Sequence, residues 1–357
     1  IPISGERGDG LKRFFDDQHI SMPSIDVVTG LQRLKTDLVV KAMHGLKFFV
    51  GTNRFAVNTN PEDHNGCIQC GDCLYGCPRD AIFRAGKAIH EIASKGECTI
   101  KFKKVLTVRN SNRQVQLRTD RDENIYDRVF LCAGAPNTAE VVGRSFGEPA
   151  RRIAIYDNLL WYFPVFSFFP KRTRLSESSF AFAELAGGMF DHSDLSYNHL
   201  LISSLPNAIV EYFVYRNLKS KFLTKLISNH LIIGAIYGSH EEYVKYHVGF
   251  HDGNMKFTEA KKSAEGINKK KFNVLRKHFS DHGWYTHRLM AFQHGTSGHY
   301  TGNLGEAYGV EDLPKTGRFR NNIYICDSSS WNMASMSQQH TFTIMAYASK
   351  VVQNAFN

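Results

Sequence analysis

The segment of residues 321–348 constrains the fold more than any other part of the chain, because it joins a buried strand to a helix through a polar loop. Residues 323–326 are Ile-Tyr-Ile-Cys, an apolar run of strand-forming types that predicts a buried strand. From Thr341 onward, apolar residues recur at steps of three and four, which predicts a helix: Met345, Ala348, Val352 and Ala355. Strand, loop and helix in this order are typical of α/β sheets.

A carboxylate and three serines stand where that strand ends. Asp327 follows the strand directly, and residues 328–330 are all serine. In α/β sheets, ligands gather at strand ends and at helix N-termini. Asp327 could therefore accept hydroxyl protons from a ribose or ribityl chain, and the amides near Thr341 could bind an electron-rich oxygen. The same residues also fit a turn that caps a helix, and the pattern alone favours that interpretation.

Three segments resemble motifs of one enzyme family. Residues 327–330 (DSSS) and 339–350 (QHTFTIMAYASK) are similar to the C-terminal signature of the glucose–methanol–choline family of FAD-dependent oxidoreductases. Residues 128–135 (RVFLCAGA) resemble the family's strand that ends in Ala-Ala-Gly, and residues 67–78 (CIQCGDCLYGCP) resemble its cysteine-rich turn. The three segments occur in the family's order across most of the chain.

The resemblance implies a fold class and a division of the chain. The class is α/β (α+β): an FAD-binding Rossmann-like domain, incomplete in this chain, with an inserted antiparallel-sheet substrate domain. Residues 1–150 would form part of the FAD-binding domain with the cysteine-rich loop, 151–290 the substrate domain, and 291–357 the return to the FAD-binding domain. The residues that would contact FAD are Val105, Ala133, Gly134, Asp327, Ser328 and Thr341.

The activity that the resemblance implies is oxidation of the CH–OH group of an alcohol, sugar or glycan precursor, with hydride transfer to the flavin N5. The implied partners are a small-molecule or glycan alcohol as substrate and an unknown electron acceptor. Such chemistry needs a base for the hydroxyl proton and a second polar group that orients the hydroxyl. A relative that keeps the fold as a non-catalytic binding module is an alternative.

The predicted catalytic residues come from two places in the sequence. The family's base is a His before a Gly-Thr pair, where an ungapped match gives Phe292 and a two-residue deletion gives His294. We predict His294 as the base, with Gln339 or His340 as the orienting partner. The chain has 16 histidines, so packing or capping is an alternative role for these side chains.

One feature of the family is missing from the sequence. No G-x-G-x-x-G opens a helix anywhere in the chain, and the early Gly5, Gly8 and Gly10 have the wrong spacing. The first residue is Ile rather than Met. We therefore expect either a piece of a longer protein whose upstream residues supply the motif, or a protein that has lost a standard FAD site.

The cysteine-rich block offers a different function. Cys67, Cys70, Cys73 and Cys77 have the spacing C-x2-C-x2-C-x3-C-P, which is the bacterial ferredoxin pattern for an iron–sulfur cluster. The alternative to a flavoenzyme is therefore an iron–sulfur electron-transfer protein that uses this loop. A structural turn without metal is also open, whereas zinc fits less well because an x2 spacing between the first three cysteines is tight for a zinc knuckle.

Charge and cysteine use bear on partners and compartment. The net charge is +10, but there is no long basic tract, so we expect no nucleic-acid partner. Residues 209–236 could form a basic amphipathic element, which leaves docking at a membrane surface open. The sequence shows no signal peptide or membrane-spanning segment. Seven cysteines, four of them clustered, suit a reducing compartment, so we expect a cytoplasmic protein.

Local periodicity predicts the remaining elements. Apolar spacing predicts helices over residues 27–46 and 81–94. Alternation predicts strands over residues 99–108, Gln114–Thr119 and Tyr243–His251, the first two joined by a turn at residues 110–112.

Overall fold

Antiparallel sheets make up most of the structure, a computed structural model of the chain. The described residues are 42–43, 46–53, 56–60, 62–70, 72–73, 76–147, 153–168, 183–204, 215–216, 219–228, 230–239, 241–251, 254–262, 269–286, 290–291, 298–331 and 341–357. Among them, β6 and β18 are the one parallel strand pair. The class is therefore mixed α/β, and a Rossmann-like domain stays a prediction.

The strands are β1 (Ala42–Met43), β2 (Leu46–Thr52), β3 (Val105–Ser111), β4 (Gln114–Thr119), β5 (Glu123–Tyr126), β6 (Val129–Leu131), β7 (Ile153–Asn158), β8 (Leu160–Ser167), β9 (Leu185–Asp191), β10 (Ser196–Ser204), β11 (Leu231–Tyr237), β12 (Tyr243–His251), β13 (Asn254–Lys262), β14 (Trp284–Tyr285), β15 (Met290–Ala291), β16 (Tyr300–Gly302), β17 (Arg318–Arg320) and β18 (Ile323–Ile325). The helices are α1 (Ala85–Ser94), α2 (Ala135–Phe146), α3 (Lys221–Ser228), α4 (Lys269–Asp281), α5 (Leu304–Ala307), α6 (Leu313–Thr316) and α7 (Thr341–Phe356), with a 3₁₀ turn at Ser328–Ser330.

The largest sheet has eight strands in the order β1-β2-β9-β10-β11-β8-β14, and β15 also pairs with β8. One of its faces packs against the apolar side of α4, where Phe272, Leu275 and Phe279 recur at steps of three and four and are buried. Their neighbours on the sheet include Phe48 of β2 and Phe163 of β8. The core of this sheet thus includes residues from both the first and second predicted domains.

A four-stranded sheet, in the order β13-β12-β7-β16, lies beside α2. The prediction of a strand over Tyr243–His251 is confirmed by β12. Helix α2 approaches this strand closely at Gly143, where an added Cβ would lie 2.2 Å from the ring of Phe250. A larger residue there would have to displace the Phe250 ring, so glycine allows the helix to pack this close to the sheet.

The domain boundaries at residues 150 and 290 stay a prediction. Strand β2 pairs with β9 over Leu46–Thr52, although the two lie on opposite sides of the first boundary. Strand β16 pairs with β7 across the second boundary. The described segments are therefore interleaved through both antiparallel sheets.

The third sheet, β17-β18-β6, contains the predicted C-terminal strand. Its parallel ladder pairs Ile323 with Val129 and Ile325 with Leu131, and these four side chains enter the core beside α2. On the opposite face, Tyr324 is buried beneath α7. Predictions of a strand before Asp327 and of a helix from Thr341 are both confirmed.

Two predicted elements begin later in the chain than expected. The first strand of the predicted hairpin begins at Val105 rather than at residue 99, while Gln114–Thr119 is confirmed. The helix predicted over residues 81–94 begins at Ala85, because an antiparallel bridge between Ile82 and Val57 holds the chain extended just before the helix. None of the residues of α1 is buried, and its apolar Ile89 and Ile92 are exposed.

The C-terminal part of the helix predicted over residues 27–46 is wrong, because Ala42–Met43 and Leu46–Thr52 are strands. Residues 27–41 lie outside the described part of the chain. The predicted amphipathic segment over residues 209–236 contains α3 and then the strand β11, so it is not one element. Among the described helices, none is both long and apolar enough to cross a bilayer.

All three tryptophans of the chain are buried. Trp161 and Trp284 lie in the core between the largest sheet and α4. Trp331 follows the 3₁₀ turn and packs edge-on against Tyr347 of α7, with ring centroids 5.8 Å apart.

Candidate functional site

The site begins where the parallel strands β6 and β18 end. Because the two strands run in the same direction, their carboxyl ends meet at one edge of the sheet. Gly134 follows β6 and Asp327 follows β18. The N–H of Gly134 donates to Asp327 Oδ2 at 3.0 Å, although the two residues are 193 positions apart in the sequence. Two of the predicted cofactor-binding segments therefore adjoin.

The carboxylate of Asp327 is buried and has four protein donors. Oδ2 accepts from Gly134 N and Thr138 Oγ1, and Oδ1 accepts from the N–H, at 2.9 Å, and the hydroxyl of Ser329. A carboxylate offers about four lone-pair sites, so these donors occupy them all. Asp327 thus joins the start of α2 to the turn after β18. Its contact with a flavin hydroxyl stays a prediction, and it would require one donor to move.

Helix α2 starts at this edge. Its N-cap, Gly134, has φ 81°, a left-handed conformation that favours glycine. No side chain caps the helix from that position, and a proline lies in its first turn. The N-terminus of a twelve-residue helix carries partial positive charge and N–H donors, so it can hold an electron-rich oxygen or a phosphate. Ala133, directly before it, is exposed at the same edge.

A chain of contacts leads from the strand ends to the largest sheet. Ser328 Oγ donates to Tyr300 O at 2.6 Å. The ring of His299, the preceding residue, packs against Tyr237 with centroids 5.2 Å apart, and Tyr237 lies 5.9 Å from His199. Tyr197 Oη is 3.3 Å from His199 Nδ1. We name Tyr197, His199, Tyr237 and His299 the histidine–tyrosine cluster.

Burial sets the protonation states in the histidine–tyrosine cluster. It lowers the pKa of His199 to about 4 and also lowers the pKa of His299, because a buried imidazolium loses its hydration. Burial raises the pKa of Tyr197 for the corresponding reason. At neutral pH both imidazoles are therefore neutral and Tyr197 is protonated. The cluster therefore offers proton acceptors and hydroxyl donors without carrying charge.

Sequence reasoning missed His199. The residue lies on β10, where it alternates with the buried Leu200 and Ile202 of the opposite sheet face. That alternation predicts which face of the strand His199 lies on, but it does not predict that the residue belongs to a functional site. His199 and His299 lie close enough for their charges to influence each other, because β10 and the segment before β16 meet in the fold. The sequence alone does not predict that meeting.

The other predicted site residues have different positions. His294, Gln339 and His340 lie outside the described residues. Val105 is the first residue of β3 and packs on the same apolar core as β6 and β18. Thr341 is exposed at the first position of α7. Their roles stay predictions.

The four cysteines of the ferredoxin-like run share one apolar pocket. Cys67, Cys70, Cys73 and Cys77 all line it, together with Val57, Pro78, Ala81 and other neighbours. The N–H groups of Gln69 and Ala81 donate to the sulfurs of Cys67 and Cys77, at 3.4 and 3.3 Å. Burial raises the pKa of Cys67, and the nearby Cys77 and Cys70 add to the effect.

The spacing of side chains around the cysteine pocket bears on which metal it could hold. Within the described part of the chain, no three His, Cys, Asp or Glu side chains converge closely enough to hold a metal ion. This arrangement does not fit a mononuclear zinc site, which needs four ligands on one ion. A cubane spreads its four thiolates over separate iron atoms, so the iron–sulfur prediction stays a prediction.

Comparisons with known proteins give remote likenesses only. No protein-family model and no curated protein matches the chain. Among solved structures, a putative protoporphyrinogen oxidase from Exiguobacterium sp. 255-15 matches with 8% identity and a TM-score of 0.24, over 76% of this chain and 51% of that one. A CLA-producing fatty acid isomerase from P. acnes matches with 8% identity and a TM-score of 0.28, over 98% and 85%. This chain spans about half of the oxidase, and likenesses this remote assign no activity.

Proposed function

We propose that the chain belongs to an FAD-dependent oxidoreductase of glucose–methanol–choline type that oxidises a CH–OH group of a small-molecule or glycan alcohol. The hydrogen bond from Gly134 N to Asp327 Oδ2, at 3.0 Å, is the observation that supports this most. The family resemblance implies that these two segments, distant in the sequence, lie side by side, because both would contact FAD. Local periodicity makes no such prediction.

The residues at the strand ends fit part of an FAD site. The start of α2 offers backbone N–H donors for an electron-rich group of the cofactor, next to the Asp327 carboxylate. Asp327 holds Gly134 and Ser329 in place, so that the backbone on both sides of this edge is fixed before a ligand arrives. When bound, FAD supplies a hydride acceptor.

The protein's own task in this reaction is to take the hydroxyl proton. His294 is the proposed base, with Gln339 or His340 as the group that orients the substrate hydroxyl. His299 is five positions beyond His294 and belongs to the histidine–tyrosine cluster, whose lowered histidine pKa values keep the imidazoles neutral.

The proposed activity is tested on the full natural protein, including any residues upstream of Ile1. Purified aerobically, it should contain stoichiometric flavin, and anaerobic addition of an alcohol from a panel of sugars and simple alcohols should bleach it. His294→Ala should keep the flavin and slow reduction by roughly 10²–10⁴-fold, the usual contribution of a general base. Tyr285→Phe, at an exposed position outside the cluster, is the control. Flavin that no alcohol reduces would favour the binding module, and absence of flavin would refute the proposal.

A second candidate function is electron transfer through an iron–sulfur cluster. The specific observation in its favour is that all four cysteines line one apolar pocket with N–H donors to two of the sulfurs. Protein purified without oxygen should then contain iron and sulfide in equal amounts, and Cys70→Ser should lose both together. Wild-type protein without iron would exclude this function and leave the run as a structural turn.

We also propose that the protein docks on an anionic membrane surface through α3. Phe222, Leu223 and Leu226 of this short helix are 76%, 43% and 52% exposed. The exposed Lys219 and Lys221 directly precede them in the chain, which carries a net charge of +10. Exposed apolar side chains next to lysines complement an anionic lipid surface.

Cosedimentation with vesicles tests this docking. The protein should bind phosphatidylserine-containing vesicles and bind phosphatidylcholine vesicles much less. Phe222→Ser should abolish binding, whereas Phe102→Ser, at a position 81% exposed elsewhere, should not. Equal loss in both variants, or no binding by the wild type, would refute docking through α3. Dimerisation without lipid that Phe222→Ser removes would assign the surface to a second copy of the chain instead.

A further inference from the structure

Two cysteines from different strands lie side by side at the carboxyl ends of β6 and β18. The ladder pairs Leu131 with Ile325, and Cys326 N donates to Leu131 O at 2.9 Å. Cys132 and Cys326 are therefore the next pair across the ladder. Neighbouring strands are about 4.8 Å apart. That spacing falls within the Cα separation of roughly 4.4–6.8 Å that a disulfide spans.

The two thiols point to the same face of the sheet. Side chains alternate along a strand, so Cys132 and Cys326 share the face of Phe130 and Tyr324, two positions earlier. Those two rings stack with centroids 5.1 Å apart, which shows that side chains on this face meet across the ladder. The thiols of the cysteine pair likewise interact directly.

The pair is asymmetric in exposure and acidity. Cys132 is exposed, whereas Cys326 is 1% exposed and packs beneath α7 beside Val351. The hydrogen bond with Cys326 lowers the pKa of Cys132 below its ordinary value. That interaction, together with burial, raises the pKa of Cys326. Cys132 is thus the more acidic and more accessible of the two thiols, and Cys326 is reached only through it.

We propose that Cys132 and Cys326 form a reversible dithiol–disulfide site, with Cys132 attacking and Cys326 resolving. With a low-molecular-weight disulfide as the oxidant, the Cys132 thiolate attacks one sulfur, forms a mixed disulfide and releases a thiolate. Cys326 then attacks the Cys132 sulfur, and its proton leaves with the second departing thiol. Two protein thiols are oxidised to one disulfide, and the oxidant is reduced to two thiols.

The bond would act on the strand-end site. Cys132 lies two positions before Gly134, and Cys326 directly precedes Asp327. A disulfide therefore links the two strand ends covalently at the point where the Gly134–Asp327 hydrogen bond holds them. The dithiol–disulfide site does not require a bound flavin, because the strand ladder and the two thiols form it on their own.

Peptide mapping tests the site directly. The full-length protein is incubated with glutathione disulfide, its remaining thiols are alkylated, and it is digested with trypsin. Cys132 then lies in the peptide of residues 129–144 and Cys326 in 321–350, while Cys98 lies in 96–101 and the other four cysteines in 55–79. The expected product is a link between 129–144 and 321–350 that dithiothreitol releases. Wild-type protein decides the result, so no variant has to fold.

Variants then separate the two roles. Cys132→Ser should remove the link and leave Cys326 unmodified, because its thiol is buried. Cys326→Ala should leave glutathione attached to Cys132 and should raise the pH midpoint for alkylation of Cys132, because its hydrogen-bond donor is gone. Cys98→Ser, at an exposed cysteine, should change nothing. A persistent mixed disulfide in the wild type, or a link to any other peptide, would overturn the proposal.

Discussion

At the scale of single residues, the site depends on one buried carboxylate with four donors. The family resemblance predicted that Gly134 and Asp327 belong to one site, because each lies in a recognisable motif. It did not predict their hydrogen bond, in which the donors come from the protein itself. His199 was not predictable, because its neighbour His299 is distant in the sequence and the strand pattern identifies only a face.

We expect Asp327→Asn to lower the free energy of unfolding. The amide replaces one acceptor oxygen with a donor and removes the charge, so at least one of the N–H and hydroxyl donors around it loses its partner. Hydrogen bonds to a charged group contribute about 1.5–3 kcal/mol, and the free energy of unfolding in urea should fall by that order. Asp127→Asn, at an exposed position with one hydrogen bond to Gln114, is the matched control and should change it little. An unchanged urea midpoint for Asp327→Asn would contradict this assignment.

Acid should destabilise the protein through His199. Burial lowers the pKa of His199 to about 4, whereas the unfolded imidazole titrates near 6.5. Between these values the unfolded chain binds more protons, so stability falls as the pH drops from about 6.5 to about 4. The loss is on the order of 3 kcal/mol. The groups around His199 are Tyr197, Tyr237 and His299, and His299 adds a loss of the same sign.

Urea unfolding at several pH values measures this effect. His199→Gln should flatten the dependence of the unfolding free energy on pH in that window. His192→Gln, at an exposed histidine, should keep the wild-type slope. Equal slopes in all three proteins would exclude His199 as a source of the acid sensitivity.

At the scale of elements, apolar spacing predicted α7 and β12, and a continuous apolar run predicted β18, which is buried on both faces. Apolar spacing predicted the start of α1 too early, since it continues through residues 81–84 while the bridge between Val57 and Ile82 holds them extended. That bridge is a contact between segments, which a local pattern does not contain. The attachment of α4 to β10 likewise depends on a buried polar contact.

Lys271 fastens α4 to β10. Lys271 is 3% exposed, and its ammonium group donates to Ser196 Oγ and lies 3.4 Å from Asn198 Oδ1. We expect Lys271→Met to lower the free energy of unfolding by roughly 1–3 kcal/mol, because Asn198 loses a donor in a buried site. Urea denaturation measures the change. Lys277→Met on the same helix removes an exposed charge and should have a much smaller effect. A similar loss in both variants would show that charge, and not the buried contact, is responsible.

At the scale of the whole molecule, the order of strands in the largest sheet was beyond sequence reasoning. The pairs β2–β9 and β7–β16 join segments separated by more than a hundred residues, and several pairings of such apolar strands satisfy the same pattern. An antiparallel sheet in the middle of the chain was expected from the family resemblance. The contribution of β2 to it was not.

Strand β2 should therefore contribute as much to the stability of the large sheet as β8 does. Phe48 is 2% exposed in the shared core, as Phe163 is on β8. Phe48→Ala and Phe163→Ala should each lower the free energy of unfolding by about 3–5 kcal/mol. Phe49→Ala, on the opposite face of the same strand and 38% exposed, should cost clearly less. Equal urea midpoints for Phe48→Ala and the wild type would show that β2 is dispensable to the sheet.

The burial of the three tryptophans has an optical consequence. Trp161 and Trp284 report on the large sheet, whereas Trp331 stands beside α7 at the strand ends. Replacing the first two with phenylalanine leaves a single fluorophore whose emission follows the strand ends alone. In stopped-flow unfolding, that protein and the wild type would time the opening of the two regions separately. A chromophore bound at the strand ends would quench Trp331 by energy transfer, so its arrival could be followed without any added label.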